Sequence, residues 1–351
     1  MKRDIGQGSL AEALVCRSSR RSEGRLDRIA ALIDWDAVAA ILSGLHPAQT
    51  GRPSYPPVVM MRALLLAQWY RLSDPELEEA LADRLSFRRF VGLSLQDRVP
   101  DETTLCRFRG MLAGGLADRV MAEVERQFAT HGLILKQGTI IDATVVSAAV
   151  HKPARVNQPS RLDPDAQWLS HGNGRIKFGY KAHICVDQGS GLIRKSLMTP
   201  ASTHDSAPAD QLIMGDEAAV YADKAYDKKE RRRQLRARGA KDRIMHKGNR
   251  GRPITVWQAR RNRLLATLRS PIERTFGIWK RWYDYRHVRY RGLARTTPNC
   301  NCCASPSIYA GLGSPAVNDA RSAPETAVPA AQSPRHDNPS PLRANKHTTP
   351  N

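Results

Sequence analysis

The hydrophobic positions along the chain change period once. From Arg25 to about Thr130, apolar residues recur every three to four positions, as on one face of a helix. Leu26, Ile29, Leu32, Ile33 and Val38 form such a stripe in RLDRIAALIDWDAVAAIL, which reads as one helix. YPPVVMMRALLLAQWY opens with proline, which a first helical turn tolerates. SDPELEEALADRLSFRRFVGL opens with Ser73 as cap and carries Pro75 and acids in the first turn. PDETTLCRFRGMLAGGLADRVMAEVERQF takes Asp101 or Thr103 as cap and breaks at Ala113-Gly114-Gly115. Past Ile134 the pattern alternates: LKQGTIIDATVVSAAV is β-branched and reads as a strand. RIKFGYKAHICVD, QGSG and LIRKSLMTPAS read as a hairpin around a glycine-rich turn. A short helix in HDSAPADQLIMGD, the strand AAVYAD, the helix KAYDKKERRRQLRARG and the strand AKDRIMHK follow. Two helices close the series, VWQARRNRLLATL and RSPIERTFGIWKRW.

This order predicts an all-helical part followed by a mixed α/β part. Four regions result: an arm and helix over 1–50, a helical domain over 51–132, the α/β domain over 133–297, and a tail over 298–351. The tail's Pro, Ala, Ser, Asn and Thr content predicts disorder. The polar stretch from Val156 to Gly174, with Trp168 isolated in it, reads either as a loop that meets DNA or as a mobile insertion. TTLCRFRG has the look of a helix-turn-helix reader, and a plain helical bundle fits the pattern equally well.

Charge narrows the partners. The formal net charge is +21 and the pI about 10.2. Lys224 to Arg295 holds 24 Lys/Arg against five acids, a density that repels itself unless an anion covers it. Nucleic acid is the expected partner. A membrane is not, because the longest apolar run, Val58 to Trp69, is too short to span and contains Arg62. Six cysteines and no apolar leader lead us to expect a cytoplasmic protein.

Three carboxylates stand where catalysis gathers. Asp142 lies mid-strand among β-branched residues, where a charge costs several kcal/mol unless it is paired or bound. Asp223 ends a second strand, and ligands collect at strand ends in open α/β sheets. Glu273 heads a cationic helix, in Ser270-Pro271-Ile272-Glu273, which also reads as a capping box. Converging at one sheet edge, the three suit two hard cations, Mg2+ or Mn2+. Asp142 as a hydrogen-bonded structural residue and Asp223 as a helix cap are the plainer alternatives. His183 and His204 lack the spacing of a zinc site, and Asp205 reads as the cap of the next helix.

GTIIDATVV, HGNGRIKFGYKAHICVD, MTPASTHDS, VYADKAYD and SPIERTFGIWKRWYDYRHVRYRGL closely resemble the catalytic domain of bacterial insertion-sequence DDE transposases of the IS-four and IS-five group. The helical stretch from Arg52 to Leu93 and PDETTLCRFR resemble that group's N-terminal domain, so the likeness spans about residues 20–297. It implies a ribonuclease-H-like mixed sheet flanked by helices, preceded by an all-α DNA-binding domain. It implies Asp142, Asp223 and Glu273 as the catalytic, metal-binding triad. The family's signature around the Glu, a Tyr, Arg, Glu and Lys at fixed spacing, is met by Arg269, Glu273 and Lys280, while Ala266 stands in the Tyr position. Arg269, Arg274 and Lys280 are the expected phosphate contacts. The implied activity is metal-dependent hydrolysis at the terminal inverted repeats of an insertion sequence, then strand transfer into target DNA by a dimer on double-stranded DNA. The alternative is a DNA-binding remnant without catalysis.

Cys300, Cys302 and Cys303 have no second Cys/His cluster to complete a zinc knuckle, which leaves accidental composition or a shifted reading frame. Suitable codons for TPNCNCCASPSIYAG, read one frame over, can spell LQLLCIAINIRR, an apolar helix with a basic end like the one that closes the resembling family. On that reading the tail is frameshifted and this copy is a decayed transposase.

Overall fold

The structure, a computed structural model, describes residues 24–45, 54–156, 158–170 and 176–297. The expectations for the first 23 residues, for the three tail cysteines and for a frameshifted tail lie outside the described residues.

Among the described residues seven α-helices come first: α1 (Arg25–Leu32), α2 (Trp35–Leu42), α3 (Pro57–Tyr70), α4 (Asp74–Asp83), α5 (Leu85–Val91), α6 (Glu102–Met111) and α7 (Leu116–Thr130). The single helix expected over Arg25–Leu42 is two. Asp34 leaves the helical conformation, and its carboxylate accepts from the amides of Asp36 and Ala37, which starts α2. Ser73 and Glu76 form the reciprocal capping box of α4, and Asp101 caps α6. α3 is buried almost all round, as befits the helix at the centre of a bundle. Helices α1 to α7 pack into one apolar cluster, from Leu26 to Ile134. Ten residues separate α5 from α6, so TTLCRFRG does not follow the tight turn of a helix-turn-helix. Arg109 in that stretch is buried, paired with Asp74 at 2.5 Å and stacked 4.3 Å from the Tyr290 ring.

The α/β part contains β1 (Thr139–Ser147), β2 (Gln167–Ser170), β3 (Ile176–Asp187), β4 (Ile193–Pro200), α8 (Ala209–Leu212), β5 (Ala219–Ala222), α9 (Lys229–Ala237), β6 (Lys241–Ile244), α10 (Val256–Leu268) and α11 (Ser270–Trp282). β3 runs antiparallel to β1 on one side, and to β4 and β2 in succession on the other. β5 and β6 continue the sheet parallel to β1. Alternation sorts the strand residues between two faces. Ile140, Val146 and Tyr180 pack with Ile272, Phe276 and Trp279 of α11. Ile141 and Val220 pack with Leu212 of α8 and Leu235 of α9.

β2 was not expected. Trp168, read as isolated in a loop, pairs opposite Phe178, with ring centroids 5.1 Å apart. Gly179 adopts φ 152, and a Cβ there would collide with the Val146 carbonyl oxygen and the Ala148 amide. Only glycine lets β3 lie that close to the end of β1. Arg194 of β4 ties the sheet to the bundle, 2.6 Å from Glu125 of α7 and 2.9 Å from Asp216. Among the described residues no helix is long and apolar enough to cross a membrane.

Candidate active site at the exit of two parallel strands

β1 and β5 run parallel with Ile141 opposite Ala222. The next residues are Asp142 and Asp223, so the register sets the two carboxylates on neighbouring strands, about 4.8 Å apart in backbone. β5 ends there. Asp223 caps the 3-10 turn Lys224–Tyr226, its Oδ1 accepting from the Lys224 amide at 2.5 Å. Capping and membership of the acidic pair are therefore both true of Asp223. Asp142 Oδ1 accepts from the Ala143 amide at 2.8 Å.

The junction between α10 and α11 delivers a cation to this pair. Arg269 Nη2 donates to Asp142 Oδ2 at 2.7 Å, and Nη1 lies 3.9 Å from Asp223 Oδ1. Two residues farther along the same face of β1, Thr144 Oγ1 accepts from Lys280 Nζ at 2.5 Å. Arg269 and Lys280, assigned from the sequence to phosphates, thus both reach back to β1.

Glu273 does not form the expected capping box. Leu268 ends α10 and Arg269 stays near-helical, at φ −90 and ψ −5, so Ser270 is already inside α11 and no side chain caps that helix. A capping side chain needs an extended residue before the helix, and the almost continuous passage from α10 to α11 supplies none. The Glu273 carboxylate is exposed and has no hydrogen-bond or ion-pair partner among the described residues. It lies four residues after Arg269 and seven before Lys280, on the helical stripe that faces β1 at both ends. Arg274 is exposed beside it.

Burial pushes the Asp142 carboxyl above its usual range. Arg269 and the Ala143 amide oppose that shift, and Asp223 and Asp205 add to it. Asp205 is the participant that sequence reasoning missed. It does not cap α8, whose N-cap is Pro208 without a side-chain bond; it lies 2.8 Å from Lys181 Nζ and within electrostatic reach of Asp142. Tyr226 was missed too. Its buried hydroxyl has no hydrogen-bond partner, and burial, then Asp142 and Asp205, raise its pKa. The STHDS and DKAYD stretches held these residues, but only the folded chain shows what faces them. His183 is buried with Nε2 on Thr199 Oγ1 at 2.8 Å, and burial lowers its pKa to about 4. His204 is exposed, its Nδ1 accepting from the Ser206 amide.

Residues 14–111 match the family model described as Transposase domain (DUF772), and residues 134–300 match Transposase DDE domain. The two matches follow one another in chain order, and the second contains Asp142, Asp223 and Glu273. The chain belongs to the DDE transposases of insertion sequences. A solved structure similar to it is the piggyBac transposase synaptic complex with hairpin DNA, at 12% identity over 84% of this chain and 76% of that one. The TM-score of 0.38 is too low for that likeness to carry any argument.

A DDE transposase acts on DNA and generally depends on divalent metal. The donors here fit such an ion. Asp142 and Asp223 offer hard carboxylate oxygens beside the cation Arg269, with Asp205, paired to Lys181, within electrostatic reach. Among the described residues, however, no three His, Cys, Asp or Glu side chains are grouped as a ready metal site. The guanidinium of Arg269 stands between Asp142 and Asp223, and Glu273 is not drawn in.

Proposed function

We propose that this transposase hydrolyses DNA at the terminal inverted repeats of its element and joins the freed 3′-hydroxyl to target DNA. In this reading Asp142, Asp223 and Glu273 hold two divalent ions, Mg2+ or Mn2+. The observation that carries it is the parallel register that sets Asp142 beside Asp223 around one shared cation. Glu273 joins them because it is free, exposed and on the stripe between Arg269 and Lys280. When bound, the ions would activate the attacking oxygen and stabilise the leaving one in an in-line displacement.

The chain's own residues do the rest. Arg269 neutralises the aspartates, and with a metal in its place it would join Arg274 and Lys280 in holding the phosphates of the strand. Burial, and next Lys177 and Arg286, lower the Lys280 pKa, so a phosphate placed there relieves a like-charge cluster. The Tyr226 hydroxyl, buried near the carboxylates and without a partner, is available to donate to one of them once Arg269 moves away. Burial holds the Asp142 carboxyl above its usual range, and a cation beside it opposes that shift, as Arg269 does here.

The strand order β4-β3-β1-β5-β6, with β3 antiparallel to the rest of the central sheet, favours a ribonuclease-H-like fold for residues 133–297. The helices over 51–132 then form the DNA-binding domain, preceded by the 1–50 segment, whose helices α1 and α2 share its apolar core. Two ends must be cut together, so the working form is a dimer on DNA, acting in the cytoplasm. Asp223→Asn is expected to abolish Mg2+- or Mn2+-dependent strand cleavage of DNA carrying the flanking inverted repeats, while DNA binding stays largely intact. Lost binding with unchanged cleavage chemistry would contradict the assignment.

A further inference from the structure

Beyond the acidic pair, β1 runs on to a second feature. At its C-terminal end a cavity of about 430 Å3 is lined by Ser147, His151, Lys152, Lys177, Phe178 and His287, among others. Its floor is built by backbone. The Ser147 amide donates to the Arg286 carbonyl at 2.9 Å, and the Val288 amide donates to the Ser147 carbonyl at 2.8 Å, so the segment after α11 is pinned beside β1. On the other side, the close approach at Gly179 brings the start of β3, with Lys177, against the same strand end.

The charge there is one-sided. Lys177 and Arg286 lie near enough to Lys280 to lower its pKa, after burial. Among the described residues no carboxylate pairs with Lys152, Lys177, Lys280 or Arg286, whereas Arg194, Arg231 and Arg232 elsewhere in the sheet domain each have acidic partners. A cationic cluster without counter-charge around a cavity is matched by a polyanion. The lining also holds apolar side chains, Val150 and the exposed Ile176, which suit the sugar face of a nucleotide rather than a free ion.

We infer that this cavity is a subsite for the backbone of the DNA strand that enters the acidic centre, gripping a phosphate with Lys152 and Lys177 of its lining, backed by Arg286 next to it in the chain segment that forms the floor, and seating its sugar on Ile176. Ser147 lies five residue steps beyond Asp142 on β1, about 16 Å at strand rise. For a duplex lying along β1, that places the gripped phosphate about five base-pair steps from the bond to be cut, at about 3.4 Å per step. The inference rests on the DNA-cleaving reading above, and its test separates the two.

The full chain is titrated with a random-sequence 30-base-pair duplex over a range of NaCl, and nicking of supercoiled plasmid in Mn2+ is measured alongside. Each phosphate contact contributes about 0.9 to the slope of log K against log salt. The double variant Lys177→Gln/Arg286→Gln is expected to lower that slope by about 1.8 and to slow nicking. Lys136→Gln/Lys195→Gln, placed toward the other end of the sheet, is expected to leave the slope unchanged. A second double variant, Lys152→Gln/Lys177→Gln, guards against misfolding of the first, and thermal melts confirm that both fold. An unchanged slope in folded variants, with the wild type binding and nicking, overturns the subsite and leaves the function standing. A wild type that neither binds nor nicks overturns both.

Discussion

Replacing Arg269 by glutamine removes the cation shared by Asp142 and Asp223 and keeps most of the side-chain volume. Its head groups stand 2.7 Å and 3.9 Å from the two carboxylates. At an effective dielectric of about 20, those separations correspond to about 6 and about 4 kcal/mol of Coulomb attraction. Desolvation of the guanidinium and both acids offsets most of that. Breaking a fully buried pair costs about 3–5 kcal/mol. Here Arg269 is 11% exposed, Asp142 25% and Asp223 36%, so solvent screens part of the loss. We expect Arg269→Gln to lose about 1–3 kcal/mol in urea denaturation at pH 7 without metal. Mn2+ at ten times its dissociation constant should return about 1.4 kcal/mol. The wild type should gain less, because Arg269 must first be displaced. The triple comparison with Asp142→Asn/Arg269→Gln, which lacks one carboxylate, should show the smallest gain. If Arg269→Gln gains no more from Mn2+ than the wild type, or the double variant gains as much, the two aspartates do not form a cation site for which Arg269 stands in.

Other consequences are open to measurement. Trp279 is buried between Phe276 and Tyr285, with ring centroids 6.2 and 5.2 Å away, and it anchors α11 to the sheet. Trp279→Ala should cost about 3–5 kcal/mol in the same assay, and a loss under 1 kcal/mol would place α11 elsewhere. His183 is neutral in the fold, its pKa lowered to about 4 by burial, against about 6.5 when unfolded. The unfolded chain therefore binds more protons between those values, so His183 contributes stability present above about pH 6.5 and lost as pH falls through about 4. That amounts to about 3 kcal/mol at most. His183→Gln should flatten the fall, and an unchanged pH profile by urea midpoint would refute it. Gly179→Ala should destabilise by more than the usual glycine cost, because both its φ and the Val146 carbonyl exclude a Cβ; a neutral melting temperature would count against the close approach of β3 and β1.

Much of this architecture is written in contiguous residues. The switch from a helical to an alternating period, the caps Ser73 and Asp101, and the strands carrying Asp142 and Asp223 depend on local backbone preference, which neighbouring residues decide. The motifs that name the family are local in the same sense. What required the tertiary structure was every relation between distant segments. The break at Asp34 serves a bundle core, and Trp168 becomes a strand only because Phe178 lies across from it. Arg269 faces carboxylates 127 and 46 residues away rather than solvent, and Asp205 pairs with Lys181 rather than capping a helix. The capping box at Ser270 is lost because α10 ends one residue too late to leave an extended residue before α11. Strand register and helix docking are settled by pairing and burial between elements, and those energies have no signature at short sequence separation.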